Sequence, residues 1–324
     1  MAIEPKTPTQ QVGILKRRGL TINDPNFARE KLSAKNYYNV INAFKDLFVI
    51  TSIPEDQYKP GSTFEEIFSL YTFDTRLKNL ILKYILIIEQ ELKTYVAREV
   101  ADLYNSSPYF YDACFTKDKN EKKNVIKMQE NIFELYEKNK NNPMISHFLE
   151  RGDMVPVWAL FNTFDFGTIR TFYNLLDNSL KIKISNIYSI SQNELYSMLS
   201  DLNMFRNVCA HSNRLYNFKL TDNKYEISDM NVHRNMHINF IVTGSKNCYL
   251  CGKNDLFSVL VCFKYLLGDS DFKSFYYQLL NIINHLKVNL HTISINDVLE
   301  KMGFPSLDLS TGQHDWKDIL TISK

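Results

Sequence analysis

The sequence predicts a mainly α-helical protein. Apolar residues recur at intervals of three and four over 77–104, where positions 77, 80, 81, 84, 85, 88, 92 and 95 are all apolar. The 324 residues include only 10 glycines and 9 prolines, which are few for an architecture of strands and tight turns. A hydrophobic fraction of 44% and a charged fraction of 23% are typical of globular proteins. We therefore expect long helices around a large core.

The N-terminal half can be divided into elements by its helix signals. Short helices are expected up to about Asp56. Thr63 is followed three residues later by Glu66, a capping-box pattern for the next helix. The 77–104 helix then stops at an Asn-Ser-Ser-Pro stretch, and the Lys/Asn-rich segment 116–142 reads as a solvated helix flanked by loops.

The C-terminal half shows similar signals. Ser191 and Glu194 form a second capping-box pattern, at the start of a helix expected to end near Asn213. Loose alternation over 218–243 is compatible with a small β-hairpin. Two more helices are expected, at 256–267 and 272–286.

These elements suggest three regions. They are an N-terminal helical segment packed on the core (1–60), a helical core that includes the 116–142 insertion and the candidate hairpin 218–243 (61–290), and a C-terminal extension (291–324). No internal repeat divides the chain further.

Composition excludes a protein that binds nucleic acid through overall charge. The formal net charge is only +2, so any contact with RNA must come from local clusters. Glutamates dilute the lysines of the 116–142 segment, and we treat the first four as electrostatic background: Lys117, Lys119, Lys122 and Lys123.

Nothing in the sequence indicates a membrane protein. Residues 1–11 are polar and lack the apolar stretch of a secretory signal. The most apolar run, 81–88, contains Lys83 and is too short to span a bilayer. We therefore expect a soluble cytoplasmic protein.

The 5 cysteines follow no disulfide framework, which indicates reduced thiols. His233, His237, Cys248 and Cys251 together could complete a tetrahedral zinc site. Their order and spacing match no standard zinc finger, and the alternative is a loop or short hairpin with two incidental thiols. We favour the alternative and expect neither a metal nor another cofactor.

Four aromatic residues surround Gly167, and their spacing favours core packing over a platform for stacking RNA bases. They are Trp158, Phe161, Phe164 and Phe166.

Arg206 is a charged residue near the apolar stripe of the helix that follows Ser191. At 100° per residue this helix has one narrow apolar stripe, and Arg206 lies only about 40° from the centre of that stripe. A guanidinium in such a position is costly without an anion. Either its stem runs along the edge of the core and its charge pairs with an acidic neighbour, or it binds an anion from outside.

The opposite side of the same helix is polar and carries Asn203, Asn207, His211 and Arg214. A histidine can move protons near neutral pH, and an arginine can stabilise the additional charge of a phosphate under attack. Neither task requires a metal. Arg206 with His211 is therefore suited to a phosphodiester, although the spacing alone favours a solvated His211 beside an ion-paired Arg206.

Six segments carry a family resemblance. They are 13–20 with its Arg-Gly-Leu, 32–38 with its Asn-Tyr-Tyr, 76–89 ending in a glutamate, 156–167 with its Pro-Val-Trp and Phe-Gly, 205–217, and Met-Gly-Phe-Pro at 302–305 followed by Trp316. In this order they resemble the bacterial abortive-infection proteins of the AbiD/AbiF type, whose core is a HEPN domain. The resemblance covers nearly the whole chain.

The resemblance implies a HEPN-type helical bundle with extra N- and C-terminal helices. HEPN ribonucleases carry an Arg-x4–6-His motif, often with a polar residue after the arginine, and Arg206, Asn207 and His211 match it here. In that family two motifs face each other across a dimer, so a homodimer is implied. Ser212 stands where a second histidine is common, which puts only an accessory role in doubt.

The implied activity is metal-independent cleavage of RNA, with attack by the 2′-hydroxyl on the adjacent phosphate. His211 would be the general base or acid, Arg206 would stabilise the phosphorane, and Asn207 would orient the imidazole or the phosphate. Asn203, Arg214 and Glu89 are expected to be accessory or RNA-binding residues. Glu89 matches the family's helix glutamate and could pair with Arg206, or form an ordinary surface salt bridge.

The expected partners are RNA, as substrate and as a candidate bound structured RNA, and a second copy of the chain. DNA lacks the attacking hydroxyl and is not expected, and no membrane is. Two alternatives remain from the sequence: a non-catalytic sensor that binds RNA or a phage protein, and a dimerisation scaffold in which Arg206 is buried against a carboxylate of the partner copy.

Overall fold

Helices dominate the fold, and the prediction of a mainly α protein is confirmed. The computed structural model describes residues 4–104, 112–211, 214–220, 252, 254–305 and 315–321. Within these residues the strands form a single two-stranded sheet.

The N-terminal segment contains two short helices, α1 (Pro8–Arg17) and α2 (Pro25–Lys35), which begin at capping side chains from Thr7 and Asp24. A π-helical turn follows at Tyr38–Asn42, and then an antiparallel pair of strands, β1 (Val49–Thr51) and β2 (Gln57–Tyr58). The prediction of helices alone up to Asp56 is therefore wrong, because three consecutive β-branched residues favour the extended strand β1.

This sheet is the small hairpin of the fold, but it lies at 49–58 and not at 218–243. Residues 221–250 lie outside the described part of the chain, so the hairpin predicted there stays a prediction.

The longest helix, α3 (Phe64–Tyr104), has 41 residues and is therefore about 61 Å long. It combines the helix predicted after Thr63 with the one predicted over 77–104. The predicted capping box is confirmed, because the Glu66 N–H donates to the Thr63 hydroxyl (3.1 Å) and the Thr63 N–H donates to the Glu66 carboxylate (3.2 Å).

A series of shorter helices follows. They are α4 (Lys122–Lys138), α5 (Pro143–Glu150), α6 (Val157–Leu160), α7 (Phe166–Leu175) and α8 (Asn178–Ile187), with 3-10 turns at Asp112–Cys114 and Phe161–Thr163. The helix expected in the Lys/Asn-rich segment is thus present as α4. It is only partly solvated, since it buries Val125, Met128 and Ile132 and packs on α7.

Five further helices lie in the described residues after α8. They are α9 (Gln192–Ala210), α10 (Leu256–Leu266), α11 (Asp269–Lys287), α12 (Ile295–Lys301) and α13 (Trp316–Thr321). Helix α3 packs against both α9 and α11, and α9 also contacts α7, α8 and α10. Every residue of α10 is buried, which places the centre of the core between α9 and α10.

The packing prediction for the aromatic group at Gly167 is correct for Phe161, Phe164 and Phe166, which are all buried. It is wrong for Trp158, whose side chain is 52% exposed. The reason is that α6 is a single turn with its other three residues buried, so position 158 is the one that faces outward.

Within the described residues, no helix combines the length and apolar character that crossing a membrane requires. The three predicted regions and their boundaries stay predictions.

Candidate functional site

Helix α9 carries the candidate site, and its N-terminus has the predicted capping box. The Glu194 N–H donates to the Ser191 hydroxyl (3.3 Å), and the Ser191 N–H donates to the Glu194 carboxylate (2.7 Å). The predicted apolar stripe is buried: Leu195, Met198, Leu199, Leu202 and Phe205 are all 0% exposed. This packing sets the rotation of the helix and therefore the direction of its polar face.

Arg206 lies at the boundary between the buried and polar faces, and it is partly buried. Its Nε atom is buried and has no hydrogen-bond partner among the described residues. No carboxylate in the described part of the chain forms an ion pair with it. Among the residues that the structure describes, the acidic neighbour required by the structural alternative is therefore not seen.

Asn207 and His211 lie beside Arg206 and are exposed. Helix α9 ends at His211, whose backbone N–H donates to the carbonyl of Asn207 (3.2 Å) and whose own backbone is extended. The two side chains are one helical turn apart. The structure thus brings together a partly buried cation, an amide and an imidazole at the C-terminal end of one helix. Ser212 and Asn213 lie outside the described residues.

The chain that follows the motif is held by Asp74 of α3, a fully buried carboxylate. One of its oxygens accepts hydrogen bonds from the backbone N–H groups of Leu215 (2.9 Å) and Tyr216 (2.7 Å). Lys78, one turn further along α3, lies 3.3 Å from the other oxygen. Burial raises the pKa of Asp74 and outweighs the charge of Lys78 and the backbone hydrogen bonds, which lower it.

Cys209 lies on the half-buried side of α9, and its charge state is affected by Asp74 of α3. Burial raises the pKa of its thiol to about 12, and the charge of Asp74 adds to the effect. The thiol is therefore protonated at neutral pH, and we assign it no chemical role.

Arg214 joins the chain after the motif to the N-terminal segment. Its Nη1 atom lies 2.8 Å from the carboxylate of Asp46 and also donates to the carbonyl of Ala43. Its guanidinium lies over the ring of Tyr216, 5.6 Å from the centroid. Through these contacts Arg214 stabilises the position of the chain that follows the motif. Its role in binding RNA stays a prediction.

Asn203 lies where α7 approaches α9. A Cβ atom at Gly167 would lie 3.5 Å from the Asn203 side-chain oxygen, so the two helices meet closely here. Asp165 caps α7 by accepting the N–H of Thr168 (2.7 Å). One turn further, Arg170 donates to the Ser200 hydroxyl (3.3 Å). Helix α7 therefore covers the polar face of α9 as far as Asn203 and leaves the end of the motif open.

Glu89 is not brought to Arg206. Its carboxylate is 2.7 Å from Lys93 on the same helix. It also lies 15 residues, or about 22 Å, along α3 from Asp74, which contacts the chain after the motif. The predicted pairing of Glu89 with Arg206 is replaced by a local ion pair, and an accessory role for Glu89 stays a prediction.

Within the described ranges, no three metal-binding side chains cluster. The candidate zinc residues His233, His237, Cys248 and Cys251 lie outside these ranges.

Sequence reasoning missed Asp74 and Asp46. Asp74 could have been found, because it occupies the buried stripe of α3 formed by positions 67, 70, 74, 77 and 81. A charge on an apolar stripe is the same signal that identifies Arg206. Asp46 gives no such signal, since it is an exposed acid in a short turn.

Comparison with known proteins adds one finding. No curated protein and no solved structure matches the chain. A family model described as Abi-like protein matches residues 30–217, which include α3, α7 and the whole of α9 with its motif. Because that match spans more than half of the sequence, the chain belongs to the Abi-like family of abortive-infection proteins.

Proposed function

We propose that this protein is a metal-independent endoribonuclease of anti-phage abortive infection, acting in the cytoplasm. The observation that carries the proposal is the guanidinium of Arg206, which is partly buried and without an ion pair among the described residues. Keeping a cation in such a place is costly unless an anion binds there. A phosphate of RNA is the anion that suits the neighbouring Asn207 and His211.

The proposed reaction is an internal transesterification. A His211 imidazole takes the proton of the 2′-hydroxyl, and the 2′-oxygen attacks the adjacent phosphorus. The bond from phosphorus to the 5′-oxygen breaks, and an imidazolium returns a proton to that oxygen. The products are a 2′,3′-cyclic phosphate and a 5′-hydroxyl. Arg206 stabilises the additional negative charge of the pentacovalent intermediate.

A homodimer would supply both proton-transfer groups. The chain has one copy of the motif, and a general base and a general acid are required at the same moment. Since His211 and Asn207 are exposed at the end of α9, a second copy can face them. The two His211 side chains would then divide the tasks of base and acid.

The test is cleavage of a labelled single-stranded RNA in EDTA by the wild type, by His211→Ala and by His285→Ala. His285 is an exposed histidine of α11 and serves as the matched control. We expect His211→Ala to lose a factor of about 10²–10⁴ in rate. The control should cleave like the wild type, and the product should carry a cyclic phosphate.

A matching DNA strand should not be cleaved, because it lacks the 2′-hydroxyl. Equal cleavage by the wild type and by a folded, dimeric His211→Ala variant would refute the proposal.

The alternative is a non-catalytic module that binds RNA or a phage protein. The same unpaired Arg206 favours it, since holding an anion requires no proton transfer. RNA binding without cleavage by the wild type, abolished by Arg206→Ala and retained by His211→Ala, would support this alternative.

A further inference from the structure

A second site lies away from the motif, in a cavity between α3, the end of α8 and the loop that joins α10 to α11. Its volume is about 370 Å³, which is within the range of small-molecule sites. Its lining includes Glu91 and three tyrosines, Tyr95, Tyr188 and Tyr265. Ser189 and Gly268 are exposed and form part of its rim.

The carboxylate of Glu91 has no charged partner in the part of the chain that the structure describes. It forms no ion pair or hydrogen bond with any described residue. Burial raises its pKa, and the charge of Asp271 at the start of α11 adds to the rise. A cation bound beside Glu91 would offset the cost of burying its negative charge.

The tyrosines give the cavity an aromatic wall. The rings of Tyr95 and Tyr188 are packed edge to face, with centroids 5.9 Å apart. Tyr188 is only 8% exposed, and its hydroxyl has no hydrogen-bond partner among the described residues. Arg98, which does not line the cavity, lies over the ring of Tyr95, 5.5 Å from its centroid, so this ring already makes a cation–π contact. The Arg98 guanidinium is also paired with Glu99 (3.0 Å).

We propose that this cavity binds a small organic cation with an amine or guanidinium group. Aromatic faces and an unpaired carboxylate are the groups that recognise such a cation. The negative charge of the Glu91 carboxylate disfavours the binding of nucleotides and other anions. A single lining carboxylate provides too few ligands for a dehydrated metal ion. This site is independent of the proposed ribonuclease activity, because it uses none of the motif residues.

The test is calorimetric titration of the full chain with spermidine and with methylguanidinium, using magnesium chloride to detect non-specific attraction. We expect saturable binding of at least one organic cation at one site per chain, and none of magnesium. Glu91→Gln should weaken that binding at least about ten-fold. Glu130→Gln, which removes an exposed carboxylate of α4 that does not line the cavity, should leave it unchanged.

A second variant closes the cavity without changing a charge. Gly268 is exposed at the rim and a Cβ atom there would meet no other atom within 4 Å, so Gly268→Leu adds bulk beside the opening without a clash at its Cβ. It should abolish binding while the thermal unfolding curve stays that of the wild type. The proposal is overturned if neither organic cation binds to the wild type, if Glu91→Gln binds as tightly as the wild type, or if magnesium binds equally well.

Discussion

The first half of α3 and the last turns of α9 both carry charged residues on or beside the buried stripe of a helix. The two regions differ in whether these charged groups have hydrogen-bond partners. On α3, Asp74 and Glu66 are buried, and each accepts hydrogen bonds from distant backbone. On α9, the Nε atom of Arg206 is buried and has no partner among the described residues. The carboxylates of α3 bind distant segments of the chain, whereas the cation of α9 binds no carboxylate that the structure describes.

Glu66 shows how completely a structural charge is satisfied. It accepts the backbone N–H groups of His291 and Thr292 at 2.6 Å and the Thr292 hydroxyl at 2.9 Å. It also accepts the N–H of Thr63 in the capping box. A buried charge is tolerated when its hydrogen bonds offset the cost of desolvation. By that standard the guanidinium of Arg206 is not satisfied by any residue that the structure describes.

The largest effect should come from Asp74→Ala. It leaves Lys78 without its buried partner and removes the acceptor of two backbone N–H groups. We expect a loss of about 3–5 kcal/mol in the free energy of unfolding, measured by urea denaturation at pH 7. Asp102→Ala, an exposed carboxylate on the same helix, is the control and should change little. A loss below about 1 kcal/mol for Asp74→Ala would show that Asp74 does not stabilise the fold as a structural charge.

Arg206→Ala should affect chemistry and not stability. We expect RNA cleavage to fall by a factor of about 10²–10³, because the stabilising charge at the phosphate is lost. The free energy of unfolding should change by less than about 1 kcal/mol, since no internal partner is removed. Arg206→Lys keeps the charge but not the planar fork, and should recover only part of the rate. Loss of folding or of dimerisation in Arg206→Ala would instead assign Arg206 a structural role.

Glu66→Gln should cost about 1.5–3 kcal/mol at pH 7, because hydrogen bonds to a charged acceptor are lost. Burial by itself would raise the pKa of Glu66, but the bonds from Thr292 and His291 outweigh it and hold the pKa below 4.5. The stabilisation is therefore complete above pH 4.5 and is lost as the pH falls through the lower pKa of the folded state.

The urea midpoints of the wild type and of Glu66→Gln should accordingly converge below pH 4.5. A constant difference between the two proteins from pH 3 to pH 7 would show that the Glu66 charge does not stabilise the fold.

The smallest effect is expected for Arg214→Ala, which sharpens the contrast between a paired and an unpaired arginine. Its partner Asp46 is 48% exposed, so their ion pair should contribute only about 0.2–1 kcal/mol. Cleavage of RNA should stay within about three-fold of the wild-type rate. A folded Arg214→Ala protein that no longer cleaves would show that this arginine also acts on RNA.

Several features of the candidate site could be predicted from local sequence. The capping boxes at Thr63 and Ser191 and the apolar stripe of α9 are confirmed, because each depends on residues within a few turns of one another. The position of Arg206 beside that stripe follows from the same periodicity. Its lack of an ion pair does not, since an acidic partner could have come from any part of the chain.

The features that the sequence did not establish depend on contacts between separate helices. Trp158 was predicted to pack, but the orientation of the one-turn helix α6 turns it outward. For Glu89 the sequence left a pair with Arg206 and an ordinary salt bridge open, and the structure shows a salt bridge with Lys93. Both outcomes depend on how helices are placed against one another, which spacing along one helix does not reveal.

The sequence by itself determined that the chain is mainly helical, where its main helices begin, and which residues of α9 are candidates for chemistry. Periodicity and capping are local, so they can be read from neighbouring residues. Only the tertiary structure decided that Asp74 holds the chain after the motif, through hydrogen bonds that span 141 and 142 positions. It alone also decided that Glu91 and three tyrosines from separate helices share one cavity, because such contacts depend on packing between elements far apart in the chain.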